Sequence, residues 1–192
     1  MKRFFNTSAG CHPDLHYMVN LSQRLLKIKD MVDAGQYFTI TRARQYGKTT
    51  TLQALAEFLK NDYTVISMDF QMLSASKFKN ENAFSIAFAK TLIKTAKMNQ
   101  ALPPSTLLPL KSSLQDNKDE LELPELFEYL SDICAEAAYP VVLLIDEVDS
   151  ATDNQVFLDF LAQLRGYYIK RKYMPTFQSV ILAGVYDIKN IR

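Results

Sequence analysis

Two short groups of residues in this sequence have types and spacing that could do chemistry. The first is Gly47-Lys48-Thr49, inside the run FTITRARQYGKTTTLQ at residues 38–53. Gly-Lys-Thr is how a phosphate-binding loop ends. Successive backbone N–H groups point inward at phosphates, the lysine adds a point charge, and the threonine hydroxyl ligates magnesium. The second group is Asp146-Glu147, which closes the apolar run VVLLI at residues 141–145. An aspartate there can hold a magnesium shell, and a glutamate beside it can activate water. Together the two groups suit transfer of a phosphoryl group.

Each group also has a plainer explanation. Gly-Lys-Thr occurs on ordinary surface turns, and Asp146 and Glu147 could open a solvated loop continued by Asp149-Ser150. A phosphate loop also normally opens with a glycine five residues before Gly47, where this chain has Arg42. Arginine can adopt an extended or helical backbone, so the loop is changed rather than forbidden. Gly47 stands where the backbone must come close to the phosphates, a position a side chain would obstruct. The chemical reading gains most from the conjunction: both groups sit at the end of a predicted strand. Buried carboxylates after an apolar strand are costly without a cation or hydrogen-bond donors. At a strand's carboxyl end they face the crevice where open α/β sheets bind ligands.

The elements that must position these residues follow from periodicity. Leu21, Leu25, Ile28 and Met31-Val32 recur at helical spacing within Leu15 to Val32, and Gly35 suits the stop. Tyr37 to Thr41 is β-branched and aromatic, hence a strand. After the loop, Thr50 to Lys60 carries Leu52, Leu55, Ala56 and Leu59 on one helical face. A strand follows over Tyr63 to Phe70, then a helix from about Ala83 to Met98. Pro103-Pro104 and Pro109 interrupt the chain, and Ser112 to Glu122 reads as polar loop. A helix is expected over Pro124 to Ala138, with Pro124 in its first turn. Val141 to Ile145 is continuously apolar, as in a strand covered on both faces. Thr152 and Gln155 have the spacing of a capping box ahead of a helix from Val156 to about Lys172. Ser179 to Gly184 is the fourth strand. No internal repeat is visible. Alternating strands and helices imply an α/β fold: a parallel sheet with helices on both faces.

Composition bounds the function class. The 192 residues suffice for one well-cored domain. No apolar run is long enough to cross a bilayer or to act as a secretory signal. Cys11 and Cys134 form no metal-binding or redox spacing, and a reducing, cytoplasmic home is the simplest expectation. Adjacent Cys11-His12 lacks the second pair a zinc site needs. Net charge is +1, yet residues 111–159 hold 2 basic against 13 acidic residues. That balance gives no nucleic-acid footprint over the whole chain. The run YYIKRKY at residues 167–173 mixes rings and cations as a single-strand binder would, but it also continues a helix, which is the preferred reading.

Four stretches carry a family resemblance across almost the whole chain: FFNTSAGCHPDLHYMV, RARQYGKTTTL, VVLLIDEVDS and PTFQSVILAGVYDIKNIR. They resemble the N-terminal ATPase domain of the bacterial AAA-ATPase-like family of P-loop proteins, relatives of which often continue into a region similar to the PD-(D/E)xK nucleases. Family members are similar in having an arginine-bearing loop before GK[ST], which makes Arg42 a family trait.

The resemblance implies an AAA-like P-loop NTPase fold with ATP and Mg2+ as ligands. Arg44, Gln45, Tyr46, Gly47, Lys48, Thr49 and Thr50 would line the triphosphate, with Thr49 and Asp146 serving the metal. Lys48 and Glu147 would be catalytic, Glu147 as general base. Tyr186 or Asp187 falls where a polar sensor sits, and the choice between them stays open. Arg42 and Arg44 could reach the outer phosphates or brace the loop. Arg165 and Arg171 could act as arginine fingers toward a neighbouring subunit, though a solvated helix face is the commoner role. Tyr17 and Met18 lie where relatives bring a segment near the adenine, or simply pack.

AAA-type ATPases carry a fifth strand and a helical lid not found in residues 1–192. The expectation is therefore an incomplete domain with weak binding and slow turnover. Two other functions stay open: a regulatory nucleotide switch acting on an attached domain, and an ATPase partner of a nucleic-acid-processing domain. ATP is the expected partner, a homo-oligomer and nucleic acid are left open, and no membrane partner is expected.

Overall fold

The structure, a computed structural model, describes residues 4, 15–17, 19–41, 47–116 and 120–185. Its elements run α1 (Ser22–Asp33), β1 (Tyr37–Thr41), α2 (Lys48–Leu59), β2 (Thr64–Asp69), α3 (Glu81–Met98), α4 (Leu108–Asp116), α5 (Leu123–Glu136), β3 (Val141–Asp146), α6 (Gln155–Lys170) and β4 (Ser179–Gly184). The four strands form one parallel sheet in the order β1-β4-β3-β2.

Every residue of β3 and β4 is buried, and alternation sends their side chains to opposite faces. Val142, Leu144, Ile181 and Ala183 pack against Leu25, Ile28 and Val32 of α1 and Leu52, Leu55 and Leu59 of α2. Val141, Leu143, Ile145, Val180 and Leu182 join the larger core built with the helices of the other face. Two covered faces explain the unbroken apolar runs. This is the expected parallel α/β sandwich.

The larger core is aromatic where it underlies the ends of β2 and β3. Phe70, Phe84, Phe88, Phe157 and Phe160 are fully buried. The Phe160 ring lies 5.3 Å from Phe84, 5.0 Å from Phe88 and 5.4 Å from Phe127, centroid to centroid. Removing it deletes contacts to two helices, α3 and α5, at once. Phe160→Ala is expected to cost about 3–5 kcal/mol of unfolding free energy in a urea titration.

Three expectations need correction. The first helix starts at Ser22 rather than near Leu15, because the Asn20 side chain accepts the Ser22 N–H at 2.9 Å and turns the chain just before the helix. The supposed loop from Ser112 contains the end of α4. Leu110 is buried on that helix and Leu107 just before it, and Pro109 sits in the first helical turn, where a missing N–H costs nothing. The capping box is absent. Asn154 is the N-cap residue, without a side-chain cap bond, and the Thr152 hydroxyl donates to the Asp149 carbonyl instead.

Among the described residues no helix is long and apolar enough to cross a membrane. Cys134 is a free thiol that burial pushes up to about 12, which leaves it a poor nucleophile.

Candidate functional site

Because all four strands are parallel, their carboxyl ends lie along one edge of the sheet. The register pairs Thr41 with Gly184 and Asp69 with Asp146 there. The two groups of chemical residues meet at this edge.

Gly47 caps α2 at its amino end with φ 73° and ψ 29°, a left-handed conformation that costs other L-residues about 1–2 kcal/mol. A Cβ on Gly47 would meet none of the described residues within 4 Å, so among them the glycine is required for its dihedral angles and not for room. Its carbonyl accepts from both the N–H of Thr51 at 2.9 Å and the Thr51 hydroxyl at 2.8 Å, which fixes the first turn.

Lys48 then occupies the first helical position with only 6% of its surface exposed. The positive end of a helix dipole disfavours a cation. An anion seated against the same N–H groups would add a favourable partner for it. Thr50, half-buried, completes the first turn.

Across the edge, the Thr49 hydroxyl donates to Asp146 Oδ2 at 2.7 Å, joining residues 97 apart in sequence. The other carboxylate oxygen, Oδ1, accepts the Glu147 N–H at 2.9 Å. Asp146 is 7% exposed, which excludes the solvated-loop alternative for it. Glu147, half-buried, has φ 55° and ψ 42°. A non-glycine residue in this region holds strain of about 1–3 kcal/mol, and such residues cluster at functional sites. The chain reverses at this residue into a short 3-10 turn, Val148–Ser150.

The donor set fits magnesium. Among the described residues no cluster of three or more His, Cys, Asp or Glu could cage a metal. A hydroxyl and a single carboxylate oxygen 2.7 Å apart are instead hard oxygen donors of the kind that share magnesium with phosphates and water.

A family model described as an AAA-like domain matches residues 16–188. The chain belongs to this AAA-like domain family. Among solved structures, the AAA-like domain is similar to the Walker-type ATPase PABY2304 of Pyrococcus abyssi. The match has a TM-score of 0.62 and 18% identity, and it covers 94% of this chain and 48% of that one. The chain thus spans about half the length of that neighbour. None of the curated proteins matches it by sequence.

Other candidates in the AAA-like domain fare differently. Arg42, Arg44, Gln45, Tyr46, Met18, Tyr186, Asp187, Cys11 and His12 lie outside the described residues. Tyr17 is half exposed, and its N–H donates to the Phe4 carbonyl at 3.1 Å.

Arg171 lies at the opposite end of the sheet, before β1 and β4. There it donates to the Gly35 carbonyl at 2.6 Å and covers the Tyr168 ring at 4.3 Å. That position makes it a tie between the end of α6 and the start of β1, on a face that stays exposed, as the solvated-face reading expects. Tyr168 in turn packs on Tyr37, and Tyr167 on Phe127, so these rings serve packing. Arg165 lines an apolar groove of about 710 Å³ with Phe38, Leu161 and Tyr168, against β1 and away from the Thr49–Asp146 pair.

Sequence reasoning missed Asp149, which it read as loop. Both Asp149 carboxylate oxygens lie 2.7 Å from the Val185 N–H just past β4. The one available signal was the recurrence of an acidic residue two positions after Glu147.

Proposed function

We propose that this AAA-like domain binds Mg-ATP and hydrolyses the bond to its γ-phosphate. The observation that carries the reading is the 2.7 Å Thr49–Asp146 hydrogen bond, which joins the helix after the phosphate loop to the acidic strand end. The buried Lys48 at the start of α2 supports it. When bound, Mg2+ neutralises phosphate charge and polarises the phosphoryl oxygens.

The chain's own residues do the rest. The N–H groups of the first turn of α2 and the Lys48 ammonium hold the phosphate oxygens. The Thr49 hydroxyl and Asp146 provide oxygen donors at the metal's position. Glu147 accepts a proton from the water that attacks the γ-phosphorus as the bond to the leaving ADP oxygen breaks. Hydrolysis then releases ADP and phosphate.

The test is ATP binding by calorimetry with and without magnesium, for wild type and Thr49→Val. Valine keeps the shape and removes the hydroxyl. Wild type is expected to bind ATP more tightly with magnesium, and Thr49→Val to lose about tenfold, the worth of one charge-assisted hydrogen bond or ligand. Wild type that binds no ATP, or a variant with undiminished magnesium dependence, would defeat the assignment.

A further inference from the structure

We propose that Asp149 is a positioning residue for the Glu147 turn, acting as a latch between that turn and the ends of β4 and β1. The inference rests on the ATPase reading of the same site and adds a residue that reading does not use.

The latch is built from both sides. Both oxygens of Asp149 lie 2.7 Å from the Val185 N–H, the first amide beyond β4. Gly184, the residue before it, leaves the room that this approach needs. A Cβ there would stand 2.8 Å from Asp149 Oδ1, 3.2 Å from its Cγ and 3.2 Å from Val148 Cγ2. The Gly184 backbone is not left-handed, so its glycine is explained by the approaching carboxylate rather than by dihedral angles. Gly184 is also the register partner of Thr41, the last residue of β1 before residues 42–46.

On the other side, Asp149 lies in the 3-10 turn that begins immediately after Glu147. Thr152 anchors that turn again, its hydroxyl donating to the Asp149 carbonyl at 2.9 Å, and Val148 is fully buried beneath it. Glu147 is therefore held in its left-handed conformation from two directions. Its N–H is bound by Asp146 Oδ1 on the strand side, and the turn after it is pinned to β4 by Asp149. Left-handed non-glycine residues persist only where surroundings over-determine them. Removing the pin frees the turn to relax, and a displacement of about 1 Å in a positioned group costs up to about 100-fold in rate.

The experiment compares Asp149→Ala, Asp149→Asn, Gly184→Ala and Glu147→Gln in the full chain. Steady-state phosphate release, ATP affinity and amide hydrogen exchange at Val185 are read for each. Asp149→Ala and Gly184→Ala are each expected to lower the turnover rate about 10- to 100-fold, with ATP affinity within about twofold. Faster exchange at Val185 should accompany both. The double variant is expected to be no slower than Asp149→Ala alone, because both changes break one latch. Asp149→Asn keeps one acceptor oxygen and is expected to restore most of the rate.

Unchanged exchange at Val185 in Asp149→Ala overturns the latch, whatever the rates. So does a loss that appears in ATP affinity instead of turnover, or effects that add in the double variant. Failure of the ATPase reading is a separate result: wild type and Glu147→Gln would then release phosphate equally, which overturns both inferences. A Glu147→Gln that is slow beside an Asp149→Ala that is not overturns this one alone.

Discussion

Lys48→Ala is expected to weaken ATP binding about 100-fold while leaving the nucleotide-free protein folded. A hydrogen bond between an ammonium and a charged phosphate is worth about 1.5–3 kcal/mol, and each 1.4 kcal/mol is a factor of ten. Lys48 is 6% exposed at the amino end of α2, where the helix dipole disfavours a cation. Losing that conflict and gaining alanine's helix propensity offset the buried stem and contacts that the free protein loses. Its unfolding free energy should shift by less than about 1 kcal/mol. A structural lysine behaves otherwise, with stability falling and ATP affinity following it only in proportion. Calorimetric titration with ATP and a denaturant titration without it separate the two cases.

Glu147→Gln carries the other large effect, with the opposite division between binding and rate. The amide keeps the size of the side chain and its place after Asp146, but cannot take a proton from water. Phosphate release is expected to fall by about 10²–10⁴, the usual contribution of a general base, with ATP affinity unchanged or higher. The left-handed backbone at position 147 is indifferent to this exchange, since neither side chain is glycine. A fall in rate therefore reports the carboxylate. Phosphate release at the wild-type rate removes Glu147 from the mechanism and leaves the phosphate site standing.

How legible this was depended on whether the signal was local. β1 was readable to the residue from its β-branched and aromatic run although it is only partly buried, and β4 because a strand buried on both faces is largely apolar. Asp146 was readable for the same reason: a carboxylate ending such a strand has no solvated place to go. The amphipathic faces of α2, α3 and α5 also carried their own periodicity. α4 did not, since Leu110 is its one buried leucine and Pro109 looks like a break unless the helix start is already known.

Thr152 and Gln155 had the spacing of a cap, but the hydroxyl found a nearer acceptor in the Asp149 carbonyl. The Asp149 contact needs a chain reversal at Glu147 that no glycine announces, followed by a meeting with a strand 36 residues later. Nothing in the local pattern encodes either step. Gly47 was legible as a necessary glycine, although the necessity among the described residues is its backbone angle rather than crowding.

The strand order has a consequence for how the protein comes into being. Among the described strands β1 pairs with β4 alone, at an offset of 143 residues seen again in the Ser179 hydroxyl donating to the Gln36 carbonyl. During synthesis β2 and β3 can join before β4 exists, while β1 waits as an unpaired apolar segment. Such long-range pairing is slow because loop closure must precede the contacts that reward it. The strand that leads toward Gly47 and Lys48 is thus the last to be secured. A ligand that needs α2 and Asp146 together acts only on chains that have completed this step, and stabilises them in proportion to its concentration over its dissociation constant.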